Sequence, residues 1–118
     1  MTPKRLIYLT AILIMGLVLV SCEQMKIADI NKDPGNYMNK EVGIAGRVTQ
    51  SFGALGKGIY QIDDGTGHLW VWSETHGVPS TGAYVAVKGH VIPTITFLGQ
   101  NYTSVMREAE RRDVQPSH

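Results

Sequence analysis

The chain has 118 residues, with 11 Lys and Arg against 10 Asp and Glu and a net charge of +1 at neutral pH. That balance has neither the clustered positive charge of a nucleic-acid binder nor the run of like charge that marks an acidic tail. A single cysteine excludes a disulfide framework and a cysteine-based zinc site.

Lys4 and Arg5 lead into an apolar run, residues 6–20, that exits through Leu19-Val20-Ser21-Cys22. A positive start, an apolar stretch and small exit residues make the pattern of a secretory signal peptide. The run is 15 residues long, short of the roughly 20 that cross a bilayer as a helix. Leu19 to Cys22 resembles the lipobox of bacterial lipoproteins. The resemblance implies cleavage before Cys22, acylation of that cysteine (palmitate among the chains), and attachment to a membrane of the bacterial cell envelope. Two other readings stand beside it: an ordinary cleaved signal with an incidental cysteine, and an uncleaved N-terminal helix. In two-membrane bacteria the residues after the lipidated cysteine sort such proteins. Glu23 is not the aspartate of the familiar retention signal, so the expected place is the outer membrane, facing the periplasm, over the inner membrane.

On this reading residues 1–21 are a leader, 22–26 a lipidated tether, 27–113 one small domain and 114–118 a disordered tail. Removing 21 of 118 residues leaves 97, with 9 Lys and Arg against 10 Asp and Glu. With Cys22 lipidated no thiol remains, so packing alone must hold the exported domain together.

Ile27, Ala28, Asp29 and Ile30 suit a turn or two of helix, stopped by Asp33-Pro34-Gly35. Tyr37 and Met38 lead to a turn at Asn39-Lys40. Strict alternation starts at Val42: Val42, Ile44, Gly46 and Val48 share one face, and Gly43, Ala45, Arg47 and Thr49 the other, which predicts a half-buried strand. Residues 51–58 hold three glycines and are expected to form a loop. Residues 59–63 and 68–73 read as strands joined by the tight connection Asp64-Gly65-Thr66-Gly67. Residues 74–82 read as a loop containing Pro79. The next strand, residues 84–92, repeats the first: Val85, Val87, Gly89 and Val91 match Val42, Ile44, Gly46 and Val48. A glycine at the same place in both predicts a bend in a curled sheet. Pro93 is expected to end that strand, residues 94–98 are left unassigned, and Gly99-Gln100-Asn101 to turn the chain. Residues 102–105 read as a fifth strand, and residues 106–112 as a short charged terminal helix. The last four residues are expected to fray.

Val42-Gly43-Ile44-Ala45-Gly46-Arg47-Val48, then Tyr60-Gln61-Ile62-Asp63-Asp64-Gly65-Thr66-Gly67-His68-Leu69-Trp70-Val71, then Val85-Ala86-Val87-Lys88-Gly89-His90-Val91 resemble, in order and spacing, the OB modules of helicases and tRNA synthetases and the OB-fold domains of small exported bacterial proteins. The resemblance covers about residues 40–106. It implies an all-β, five-stranded, OB-fold-like barrel with short flanking helical turns, whose ligands meet the face of the second and third strands. One departure is visible. OB-folds often carry a helix between strands three and four, and residues 74–82 are too short and too broken for much helix.

If Leu69 and Val71 point inward, His68, Trp70 and Trp72 point outward, with Arg47, Thr49, Ile59 and Gln61 on the same outer side. Two exposed indoles there would form a stacking platform, worth about 1–3 kcal/mol per stacked base. The competing reading buries the tryptophans under the N-terminal segment or a C-terminal helix. The histidines have no compact ligand spacing, so no metal is expected. Asp63 and Asp64 face different ways, and Asp64 suits an Asx-turn. Residues 53–58 lack the ending of a phosphate loop, and no serine sits in a nucleophile elbow. Arg107, Glu108, Glu110, Arg111 and Arg112 read as a solvated helix face.

The expectation is a non-catalytic binding module without cofactor, anchored through Cys22. Its partner would be an envelope protein or glycan, recognised by Trp70, Trp72 and His68 with polar contacts from Arg47 and Gln61. The alternative is a single-stranded nucleic-acid binder, which the near-neutral charge and the expected compartment oppose.

Overall fold

The computed structural model describes residues 24–114; the expected leader, Cys22 and residues 115–118 lie outside them. Gln24 makes a parallel bridge to Gly43. Helix α1 (Ile27–Lys32) and a 3-10 turn (Pro34–Tyr37) follow, then β1 (Val42–Ala54), β2 (Lys57–Asp63), β3 (His68–Ser73), β4 (Tyr84–Phe97) and β5 (Gln100–Asp113). Among the described residues no helix is long and apolar enough to cross a membrane.

The strands close into a barrel in the order β1-β2-β3-β5-β4. Neighbours run antiparallel except β3 and β5, which are parallel and register at Val71–Met106 and Trp72–Arg107. The period-two pattern places the interior as expected. Ile44 and Val48 of β1, Ile62 of β2, Leu69 and Val71 of β3, and Val85, Val87 and Val91 of β4 form one buried cluster with Met106 of β5. The two matched glycines work as bends. A Cβ on Gly46 would collide with the Asp63 carbonyl on β2, and one on Gly89 with the Arg107 carbonyl on β5. Each lies beside a register shift, between Val48 and Gln50 in β1 and between Lys88 and Gly89 in β4, where the strand coils from one neighbour to the next.

No helix joins β3 to β4; α1 closes the barrel end instead. Ile27 and Ile30 are fully buried in the core, each contributing about 1.5–3 kcal/mol of transfer free energy. Lys26, at the N-cap, gives no side-chain cap. The turn between β2 and β3 supplies one. The Ile27 N–H donates to Asp64 Oδ2 at 2.9 Å and the Ala28 N–H to Thr66 Oγ1 at 3.1 Å. Asp64 Oδ1 also accepts from the Thr66 and Gly67 N–H groups, at 2.8 and 3.2 Å, as its Asx-turn reading predicts. Partial burial alone would raise the Asp64 pKa, but these hydrogen bonds outweigh it and hold the carboxyl below the usual aspartate range.

Three expectations are corrected. Residues 106–112 are not a helix but the second half of β5, pairing Lys88 with Glu110 and Ala86 with Arg112. The open ladder beside β4 decides the conformation there, over any helical spacing of the charges. Pro93 does not end β4, which runs to Phe97. The last β4 residue paired with β1 is Gly89. Pro93 therefore lies on a free edge where its missing N–H costs no ladder bond. Residues 51–58 are not a loop but a hairpin, with β1 and β2 joined by Leu55-Gly56 alone.

Candidate functional site

The outer face of β1, β2 and β3 is built in rows. Arg47, Asp63 and His68 are registered across the three strands, then Gln50, Gln61 and Trp70, then Phe52, Ile59 and Trp72. The register shift at Thr49 changes the parity of β1, so that Gln50 and Phe52 face outward where simple alternation would turn them in. Thr49 still bonds to this side: its hydroxyl donates to Gln61 Oε1 at 3.0 Å, and Gln50 Nε2 donates to the same oxygen at 3.3 Å.

The face is not an open indole platform. The long β4–β5 hairpin folds back over it. Ile59, Trp72 and Val105 form a second buried cluster, against which Trp70, Ile92, Ile95, Phe97 and Tyr102 pack. Trp72 retains 7% of its surface and stacks edge-on against Phe97 at 5.2 Å between centroids. Its indole N–H points to Glu74 Oε1 at 3.4 Å, and Glu74 is paired with Arg107 at 2.8 Å. Trp70 is half-buried, edge-on to Tyr102 at 4.9 Å and 6.3 Å from the Phe52 ring. The surface left to a partner is a strip, Phe52–Trp70–Tyr102, bordered by Gln50 and Gln61. Phe52 and Tyr102 were legible in sequence as aromatics but not as members of this strip, because a bulge and a long arm bring them there.

Arg47 and His68 lie exposed at the end of the strip next to α1. The His68 ring is 3.6 Å from Asp63, whose other oxygen accepts from the Gly65 N–H at 2.7 Å. Among the described residues no three His, Cys, Asp or Glu side chains are grouped to hold a metal.

Beneath the strip lies a polar cluster that the helix reading of residues 106–112 concealed. The Tyr60 hydroxyl, inside the barrel, donates to Glu108 Oε1. Arg111 Nη1 donates to the same oxygen at 2.9 Å and to the Gly77 carbonyl at 3.1 Å, and Nη2 donates to the His76 carbonyl at 3.1 Å. Burial first, and then the neighbouring Glu108 carboxylate, push the Tyr60 hydroxyl far above the usual phenol range. Burial would lower the Arg111 pKa, but Tyr60 and Glu108 raise it, so the guanidinium stays charged. Glu108 Oε2 is buried without a hydrogen-bond partner, 3.6 Å from His76 Nδ1. Through Gly77 the cluster reaches the first hairpin, since the Gly77 N–H donates to the Gly56 carbonyl at 2.9 Å. Ser51 adds a second tie, its hydroxyl donating to the Pro79 carbonyl at 2.6 Å.

No protein-family model and no curated protein sequence matches the chain. Solved structures do match in shape. A chain of the S. pombe Stn1-ten1 complex aligns with a TM-score of 0.55 at 18% identity, covering 81% of this chain and 80% of that one. The fold is an OB-fold. A putative aspartyl-tRNA synthetase from Leishmania major Friedlin aligns with a TM-score of 0.61 at 15% identity, covering 84% of this chain but 22% of that longer one. An OBody bound to hen egg-white lysozyme aligns with a TM-score of 0.53 at 20% identity, covering 70% of this chain and 88% of that one. In OB-folds generally, ligands meet the strand 2–3 face and the β1–β2 and β4–β5 loops. Here that region is the Phe52–Trp70–Tyr102 strip with the two hairpin tips.

Proposed function

We propose that this chain is an exported, lipid-anchored protein of the cell envelope whose OB-fold domain is a non-catalytic interaction module. Its partner, an envelope protein or glycan, meets the strip centred on Trp70. The observation that carries this reading is the strip itself: a half-buried indole between an exposed Phe52 ring and Tyr102, flanked by the amides of Gln50 and Gln61. Rigid aromatics with adaptable amides beside them are the chemistry of recognition surfaces. The lysozyme-bound OBody, a barrel of the same fold, is itself held against a protein. The resemblance of Leu19–Cys22 to a lipobox supports the anchor and the compartment.

The test is photo-crosslinking from Gln61 and from Lys32, which lies on α1, in intact cells. The expected result is a discrete adduct from Gln61, lost with Trp70→Ala and absent from Lys32. Equal adducts from both positions would overturn the reading.

A second reading, single-stranded nucleic acid, draws on the fold and on the tRNA synthetase among its structural neighbours. The charge of the face weighs against it. Arg107 is engaged by Glu74, Arg47 is registered beside Asp63, and Lys57 is the sole charged residue from Val48 to Ile62. A fluorescence titration with single-stranded DNA at low salt separates the two. Tight, salt-sensitive binding would favour nucleic acid.

A further inference from the structure

The two long hairpins end alike. Leu55-Gly56 joins β1 to β2 and Leu98-Gly99 joins β4 to β5, and all four residues have positive φ: 56° and 79° at the first tip, 52° and 79° at the second. Such two-residue turns suit Asn-Gly or Asp-Gly, because a bulky side chain is strained in the left-handed region. The fold gains nothing from leucine in return. Leu55 is 100% exposed and Leu98 71% exposed, and with Phe52 at 44% they are the exposed large apolar side chains among the described residues. Strained positions of this kind persist where the surrounding structure holds them in place, and they cluster at sites that contact a ligand.

The tips lie at one end of the barrel. Phe97, next to Leu98, stacks on Trp72. Trp72 is in the same row as Ile59 and Phe52, next to the Leu55 turn. The hairpins are also unusually bare of charge. No Asp, Glu, Lys or Arg occurs from Val91 to Met106, a stretch of 16 residues. In the first hairpin Lys57 alone follows the tip, with a stem long enough to snorkel.

We propose that Leu55 and Leu98 dip into the surface of the bilayer that carries the lipid anchor, with Phe52 behind them and Lys57 reaching for headgroups. This rests on the lipoprotein part of the functional reading. A fluid bilayer fits these features better than a protein pocket does. The leucines are separate prongs and not one flat patch of the size a protein interface needs. The hairpins lack the charges that set register in a protein complex. Apolar tips with aromatic side chains behind them and a single cation are an interfacial pattern. Gln24 bridges Gly43 near the start of β1 and Leu55 follows its far end at Ala54, so an anchor at Cys22 and the two apolar tips would hold the barrel at separate points and lay it lengthwise on the bilayer.

The test uses the full chain carrying Leu55→Cys, Leu98→Cys or Lys32→Cys, labelled with the fluorophore NBD and mixed with vesicles of phosphatidylethanolamine and phosphatidylglycerol. Acylation of Cys22 is read by mass spectrometry on the same samples, and where its thiol is bare the labelled chains also carry Cys22→Ser, so that NBD sits at one position only. NBD at 55 and 98 should emit to the blue and be quenched several-fold more by spin labels on the lipid tails than NBD at 32. Leu98→Asn should remove most of the blue shift at 55 without unfolding the barrel. An acylated chain whose tip labels are as wet as the label at 32 overturns this proposal and leaves the anchor standing. Embedded tips on a chain with bare Cys22 overturn the anchor and leave the tips standing. Wet tips on a bare chain overturn both.

Discussion

Arg111 holds the Gly77 carbonyl at 3.1 Å, and the Gly77 N–H in turn holds the Gly56 carbonyl at 2.9 Å. A guanidinium anchored to a buried carboxylate inside the barrel is thus connected, through the single residue Gly77 of the β3–β4 loop, to the tip of the first hairpin. The exposed Leu55 is presented on a braced turn.

The brace should be costly to break from one side. Arg111→Met leaves Glu108 charged and buried without its cation, a loss of about 3–5 kcal/mol. The double variant Glu108→Leu with Arg111→Met removes the stranded charge and should be more stable than the single one. Urea unfolding of the three proteins checks the order. A double variant weaker than Arg111→Met would show that the pair contributes more than charge compensation.

Asp64 should give the protein an acid-sensitive step. Its folded-state pKa lies below the ordinary value of 3.8. Its contribution is therefore complete above the unfolded-state pKa and disappears as pH falls from that value through the folded one. Asp64→Asn should flatten this acid limb in a series of melting temperatures against pH. Asp64→Ala should in addition cost about 1 kcal/mol at neutral pH, the usual size of a lost helix cap.

Trp70 and Trp72 should separate in mutagenesis. Trp72→Ala opens the second cluster and should cost about 3–5 kcal/mol in stability. Trp70→Ala should cost visibly less and should abolish the crosslink from Gln61. Thermal unfolding and crosslinking on the same preparations check the pair. Equal destabilisation by both would make the strip simple core.

Leu55→Asn and Leu98→Asn should stabilise the barrel, each by about 1 kcal/mol, because asparagine accepts the left-handed backbone that strains leucine. Calorimetry of the single and double variants reads this directly. Gly46→Ala should act oppositely, at about 1–3 kcal/mol, through its collision with the Asp63 carbonyl.

The sequence carried the interior clearly. Alternation from Val42 and from Val85 identified the inward residues, the matched glycines marked the bends, and Asp-Gly-Thr-Gly marked one turn. Features set by tertiary structure were less visible. Leucine is not a turn residue, so Leu55-Gly56 and Leu98-Gly99 did not read as tight hairpins. The shift at Thr49 changes parity without altering composition, which hid Phe52. Mixed charges at residues 106–112 suit a helix or a strand, and only the neighbouring ladder decides. Trp70 and Trp72 were placed on the correct side, but the cover over Trp72 comes from a hairpin whose length depends on a proline tolerated at an unpaired edge.

The parallel seam between β3 and β5 registers at two residue pairs, Val71–Met106 and Trp72–Arg107. It joins parts of the chain far apart in sequence, and long-range parallel pairing is intrinsically slow to form. Truncation before Met106 would not trim the barrel but unzip it. β3 would then expose raw backbone beside two tryptophans, and such a fragment is a template for aggregation.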